Sequence, residues 1–103
     1  MIPQLKTKSA ELARLCRDYG VARLEVFGSA AGEAFDTSRS DVDFLVEFLP
    51  DVDLGPWLTR YFDLRDELAR LLERSVDLVM ISALRNPYFI REVNRTRELL
   101  YAA

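Results

Sequence analysis

Two carboxylates one residue apart, Asp41 and Asp43, open an apolar run that continues Phe44-Leu-Val-Glu-Phe48. Ahead of them another apolar run ends in Gly28-Ser29, and eleven residues separate Ser29 from Asp41. Side chains in a strand alternate faces, so Asp41 and Asp43 should project to one side and Val42, Phe44, Val46 and Phe48 to the other. Two ionised carboxylates held side by side repel each other, and a divalent cation removes that cost. Mg2+ suits the task because it takes a few carboxylates together with phosphate oxygens. Gly28 lets backbone come close to a ligand, and N–H groups with a hydroxyl at the start of a helical turn bind phosphate. A third carboxylate, Asp77, stands inside the apolar run Val76-Asp-Leu-Val-Met80. An unpaired charge buried there is costly, so Asp77 reaches water at a strand end, pairs with an Arg, or completes a metal site. Asp41, Asp43 and Asp77 on adjacent strands would have the geometry for one or two Mg2+ ions. Such a centre orients a triphosphate, activates an attacking hydroxyl and neutralises charge on departing pyrophosphate. Gly28 and Ser29 would hold the β and γ phosphates.

These residues need strands and tight turns to place them. Val21 to Phe27 alternates Ala22, Leu24 and Val26 with Arg23, Glu25 and Phe27 and reads as a strand closed by Gly28-Ser29. The small residues Ala30, Ala31 and Gly32 permit a strand-to-helix turn, with one short helical turn at Glu33 and Ala34 and a polar loop from Asp36 to Ser40. Asp41 to Phe48 and Ser75 to Ile81 are the second and third strands, and Glu98 to Tyr101 is a short edge strand. Leu12, Leu15, Cys16 and Tyr19 recur at helical spacing over Ser9 to Tyr19, with Gly20 as a stop and a start as early as Pro3. Trp57, Tyr61, Leu64, Leu68 and Leu71 predict the longest helix over Leu54 to Glu73. Its broad apolar stripe reads first as core, with Trp57, Tyr61 and Phe62 as a second possibility, a partner surface. Asn86-Pro87 is a cap and first helical residue for a helix to about Asn94.

The chain has 103 residues, enough for one domain with a real core, and residues 1–103 read as a single domain. Half of the residues are hydrophobic and 30% are charged, the balance of a soluble globular domain. A net charge of −3 argues against a directly bound nucleic acid. The single Cys16 excludes an internal disulfide and fits a reducing, cytoplasmic setting. The sequence has no histidine, which excludes His-based zinc sites and Ser-His-Asp triads. It shows no secretory signal and no run of 18 apolar residues, so no membrane association is expected.

The segment Phe27-Gly-Ser-Ala-Ala-Gly-Glu-Ala-Phe35, with Ser40-Asp-Val-Asp-Phe-Leu-Val-Glu-Phe48 and Val76-Asp-Leu-Val79, resembles the minimal nucleotidyltransferases of the polymerase-beta-like fold. The likeness continues through Asn86-Pro-Tyr-Phe-Ile-Arg-Glu-Val93 and the terminal Leu-Leu-Tyr-Ala. The resemblance implies an α/β (α+β) domain, a small mixed sheet with helices packed on it. It implies an antitoxin of a toxin–antitoxin module whose partner is a helical HEPN-domain ribonuclease. It further implies transfer of AMP from ATP, with Mg2+, to a tyrosine of that toxin. The family's phosphate-binding Gly-Ser falls on Gly28 and Ser29, and its metal-binding and catalytic carboxylates fall on Asp41, Asp43 and Asp77. The sequence departs from the family where relatives carry an Arg between Ala-Ala and Gly-Glu-Ala, since Ala31 runs straight into Gly32. Arg39, two residues before Asp41, is a candidate substitute.

Three readings follow. The first is an active protein adenylyltransferase antitoxin. The second is a catalytically silent domain of the same fold that neutralises a partner by binding alone, a role with no need of the three carboxylates. The third is an unrelated α/β domain whose acids serve solubility. With no residues to spare for a domain that grips an acceptor, the acceptor should come from a partner, and an acidic chain favours a protein over RNA.

Overall fold

A computed structural model of the chain describes residues 2–31 and 41–103. The helical turn at Glu33 and Ala34, the loop from Asp36 to Ser40 and the substitute cation Arg39 lie outside the described residues. The chain begins with two short helices, α1 (Pro3–Thr7) and α2 (Ser9–Asp18), separated at Lys8. Strand β1 (Val21–Phe27) runs into a single 3-10 turn, Gly28–Ala30. Strand β2 (Val42–Phe48), helix α3 (Thr59–Leu72) and strand β3 (Val76–Met80) follow, and helix α4 (Pro87–Thr96) leads to strand β4 (Glu98–Ala102).

The four strands form one mixed sheet in the order β3-β2-β1-β4. β1 is antiparallel to both β2 and β4, whereas β2 and β3 are parallel and joined across α3. β4 is an edge strand, as the sequence reading had it.

The larger core fills one face of the sheet. Leu24 and Val26 of β1, Val42, Phe44 and Val46 of β2 and Leu78 of β3 meet Leu5, Leu12, Cys16, Leu64, Leu68 and Leu72 from the first three helices. The helix start read at Pro3 is a separate short helix, and Leu5 of α1 and Leu12 of α2 are both buried in this core. The second face is also covered: α4 sets Val93 against Phe27 and Leu45, with Val79, Ile81 and Leu84 packed around them. Asn86 starts α4 by accepting hydrogen bonds from the Tyr88 and Phe89 N–H groups at 2.9 and 3.3 Å, and Pro87 takes the position where no N–H is needed. No helix among the described residues is long and apolar enough to cross a membrane.

The helix expected over Leu54 to Glu73 starts later. Residues 56–58 form a 3-10 turn and regular helix begins at Thr59. Pro56 pushes the preceding residue away from the α region, and Gly55 takes φ +79°. Trp57 and Leu58 then both adopt a left-handed conformation at φ 57°. Trp57 is therefore off the helical stripe and 92% exposed, whereas Leu64 and Leu68, on the same expected stripe, are fully buried.

Candidate nucleotidyl-transfer site

Strand register brings the candidate residues together. Phe27 of β1 pairs with Asp43 of β2, and Asp43 pairs with Asp77 of β3, so the end of β1 and two carboxylates make one row across the sheet. Alternation puts Asp43 and Asp77 on the face that carries Leu45 and Val79. α4 covers that face at Leu45 and at Phe27, and along the Phe27–Asp43–Asp77 row the face opens to solvent toward Asp77. Asp43 is half-buried and Asp77 is exposed. Asp41 lies just before β2, not within it, and is exposed.

The electrostatics register the gathering. Burial, then the charge of Asp77, then that of Asp41, push the Asp43 pKa from 3.8 to about 6. Burial, and then the charge of Asp77, also raise the pKa of Tyr61 on α3, whose hydroxyl donates to the Leu78 carbonyl. Among the described residues no three or more His, Cys, Asp and Glu side chains converge as a ready-made metal cage. Mg2+ does not require one, since it is commonly held by one or two carboxylates with substrate phosphates completing the shell. The donor set is all carboxylate oxygen, hard donors that suit Mg2+ rather than a soft metal. A half-buried acid pressed by two like charges is a place where a cation would be welcome.

The turn lies against the same acids. Gly28 takes φ +72°, a conformation L side chains avoid, and a Cβ built there would sit 2.8 Å from Asp43 Oδ2. Glycine is thus required twice at this position, by its backbone and by the close carboxylate. The Gly28 N–H is already engaged: it donates to Thr96 Oγ1 at 2.9 Å. The Ala31 N–H is engaged as well, closing the turn on the Gly28 carbonyl at 3.2 Å, and Ser29 stands between these two bonds as the next residue of the turn.

Two further residues matter here that sequence reasoning missed. Thr96 is the last residue of α4 and carries no local signal, because its partner lies 68 positions away. Glu25, read only as one position of an alternating strand, is 2% exposed. It accepts from Arg23 Nε at 2.8 Å and from Arg97 Nε at 2.6 Å, which ties the end of α4 to β1. An acid at a strand centre, with an Arg two residues before it and another after the last helix, was the available hint.

A four-stranded mixed sheet with a Gly-Ser turn set against strand-borne acids defines a class of domain that joins a nucleoside phosphate to an acceptor. The family model described as Nucleotidyltransferase domain matches residues 11–100. A protein of Methanocaldococcus jannaschii, provisionally named a protein adenylyltransferase, is 37% identical over 83 residues, which cover 81% of this chain and 78% of the relative. A solved structure described provisionally as a minimal nucleotidyltransferase superimposes with a TM-score of 0.69 at 33% identity, over 91% of this chain and 90% of that one. The MNT antitoxin complex with a tri-AMPylated HEPN toxin of Shewanella oneidensis shares the fold, with a TM-score of 0.65 at 20% identity over 96% of this chain and 73% of that one. The chain belongs to the nucleotidyltransferase domain family, and nucleotidyl transfer is its class of chemistry.

Proposed function

We propose that this chain is a protein adenylyltransferase that transfers AMP from ATP to a tyrosine of a HEPN-domain toxin, and so acts as the antitoxin of the pair. The observation that carries the reading is the row Phe27–Asp43–Asp77 with Gly28 packed against the Asp43 carboxylate. It sets a phosphate-type turn beside acids that repel one another without a cation. The name of the M. jannaschii relative and the AMPylated toxin in the Shewanella complex support the choice of a protein acceptor.

Asp41 and Asp43 would hold the nucleotide-bound Mg2+, with Asp77 completing a second position. The bound ion supplies charge neutralisation for the triphosphate and the departing pyrophosphate. The turn at Gly28 and Ser29 would orient the β and γ phosphates, with Gly28 setting the backbone and Ser29 supplying the donor. The acceptor tyrosine oxygen attacks the α-phosphorus, the bond from that phosphorus to the pyrophosphate oxygen breaks, and the phenolic proton passes to Asp77. The products are the AMP–tyrosine ester and pyrophosphate.

The test is to incubate the chain with its cognate helical toxin, ATP and Mg2+ and to weigh the toxin by mass spectrometry. One or more AMP increments are expected, and none with the Asp41→Ala plus Asp43→Ala double variant. A second reading is favoured by one observation, the absence of the family's Arg between Ala31 and Gly32. In that reading the domain neutralises the toxin by binding alone. A tight complex with no added mass, equally tight for the double variant, would select it.

A further inference from the structure

We infer that the Thr96 hydroxyl is a positioning residue for nucleotide binding, the group that holds the phosphate turn in register with the acids. This rests on the proposed ATP-dependent function and adds to it a residue 68 positions from the turn.

Gly28 closes β1 and opens the 3-10 turn, and its left-handed backbone is the pivot on which the direction of Ser29 depends. A pivot with no side chain has nothing of its own to fix it. Its carbonyl accepts the weak closing bond from the Ala31 N–H, at 3.2 Å. The firm contact is the other one, in which the Gly28 N–H donates to Thr96 Oγ1 at 2.9 Å. Thr96 is itself oriented, because the same hydroxyl donates to the Glu92 carbonyl one helical turn earlier, at 3.1 Å. With its proton committed to Glu92, the oxygen is left to present a lone pair to Gly28. The ion pair of Arg97 with buried Glu25 holds the end of α4 against β1, so Thr96 stands on a fixed platform. The arrangement is a small relay: helix carbonyl, threonine hydroxyl, turn N–H. Its output is the separation between the turn and Asp43, which is already so short that a single added carbon would collide.

Two consequences separate this role from plain packing. Thr96→Val keeps the shape of the side chain but removes the acceptor, leaving the Gly28 N–H without its partner. Thr96→Ser keeps the hydroxyl and loses only a methyl group. The experiment reads two quantities on the purified chain alone. One is the exchange rate of the Gly28 amide proton by NMR, and the other is the affinity for ATP with Mg2+ by titration calorimetry. For Thr96→Val the amide should exchange at least about tenfold faster and ATP should bind about tenfold more weakly, the size of effect expected when a partly buried donor loses its acceptor. Thr96→Ser should restore both. A valine variant that is folded and binds ATP as the wild type does would overturn the inference, as would a serine variant that fails to rescue. If the valine variant does not fold, the serine variant decides: wild-type protection and affinity support the relay, and a loss of either refutes it. Because ATP binding is read without the toxin, a failure to label the toxin counts against the proposed function and leaves the Thr96 result standing.

Discussion

Asp43 holds its proton to about pH 6, against an ordinary 3.8, because it is half-buried and faces Asp77 and Asp41. Between those two values the folded chain keeps a proton that the unfolded chain has released. The stability linked to Asp43 is therefore fully present below 3.8 and is lost as the pH rises through about 6. Solvent at the open side screens the effect, so the loss is about 1 kcal/mol. Asp43→Asn removes this step. The metal-free variant at neutral pH is expected to melt roughly 4–8 °C above the wild type, and the proposed transfer of AMP should be abolished. Circular-dichroism melts across the acidic range check it, and a variant that keeps the wild-type pH dependence would move the titration to another group. At Gly28 the expectation has the opposite sign. Gly28→Ala forces a side chain into the left-handed region and onto Asp43 Oδ2, and should cost about 1–3 kcal/mol. Residue types here were legible in the sequence, since carboxylates in apolar strands and a Gly-Ser stop are conspicuous. Their mutual distances were not, because Asp43 and Asp77 become neighbours only through the pairing of β2 with β3 across a helix.

Among the elements, α4 carries more than its short length suggests. It covers the second face of the sheet through Val93 and holds the Gly28–Ala30 turn through Thr96. Arg97, just beyond it, grips buried Glu25. Arg97→Ala leaves Glu25 with Arg23 alone, and stability should fall by about 2 kcal/mol. That is below the cost of breaking a fully buried pair, because Arg97 remains partly solvated. Chemical denaturation measures it, and an unchanged midpoint would mean that Arg23 suffices. The strands were readable from their alternation to within a residue, and the Asn86-Pro87 start of α4 from its capping chemistry. The start of α3 was not, because the apolar residues Leu54, Trp57 and Leu58 extend the helical pattern through a Gly-Pro step that the backbone does not follow. Glu25 escaped notice for a related reason. An alternating strand implies one wet face, and here α4 packs on that face at Phe27 while Arg23 and Arg97 enclose the acid.

For the whole molecule, the division of labour is between a core on one side of the sheet and a thinner cover on the other that stops short of the acids. Leu68, fully buried between α3 and the sheet, should cost about 2–5 kcal/mol when cut to Ala. Trp57→Ser, at the exposed corner before α3, should leave thermal stability within about half a kcal/mol of wild type. Matched melts of the two variants test whether the core lies where these packing contacts put it. The same corner has an optical consequence. Trp57 is the chain's only tryptophan, and its indole already stands in water in the folded protein, so intrinsic fluorescence should change little in colour when the chain unfolds. A blue shift on mixing with another protein would then report contact at this corner and not a change in folding, a built-in dye for assembly that needs no label.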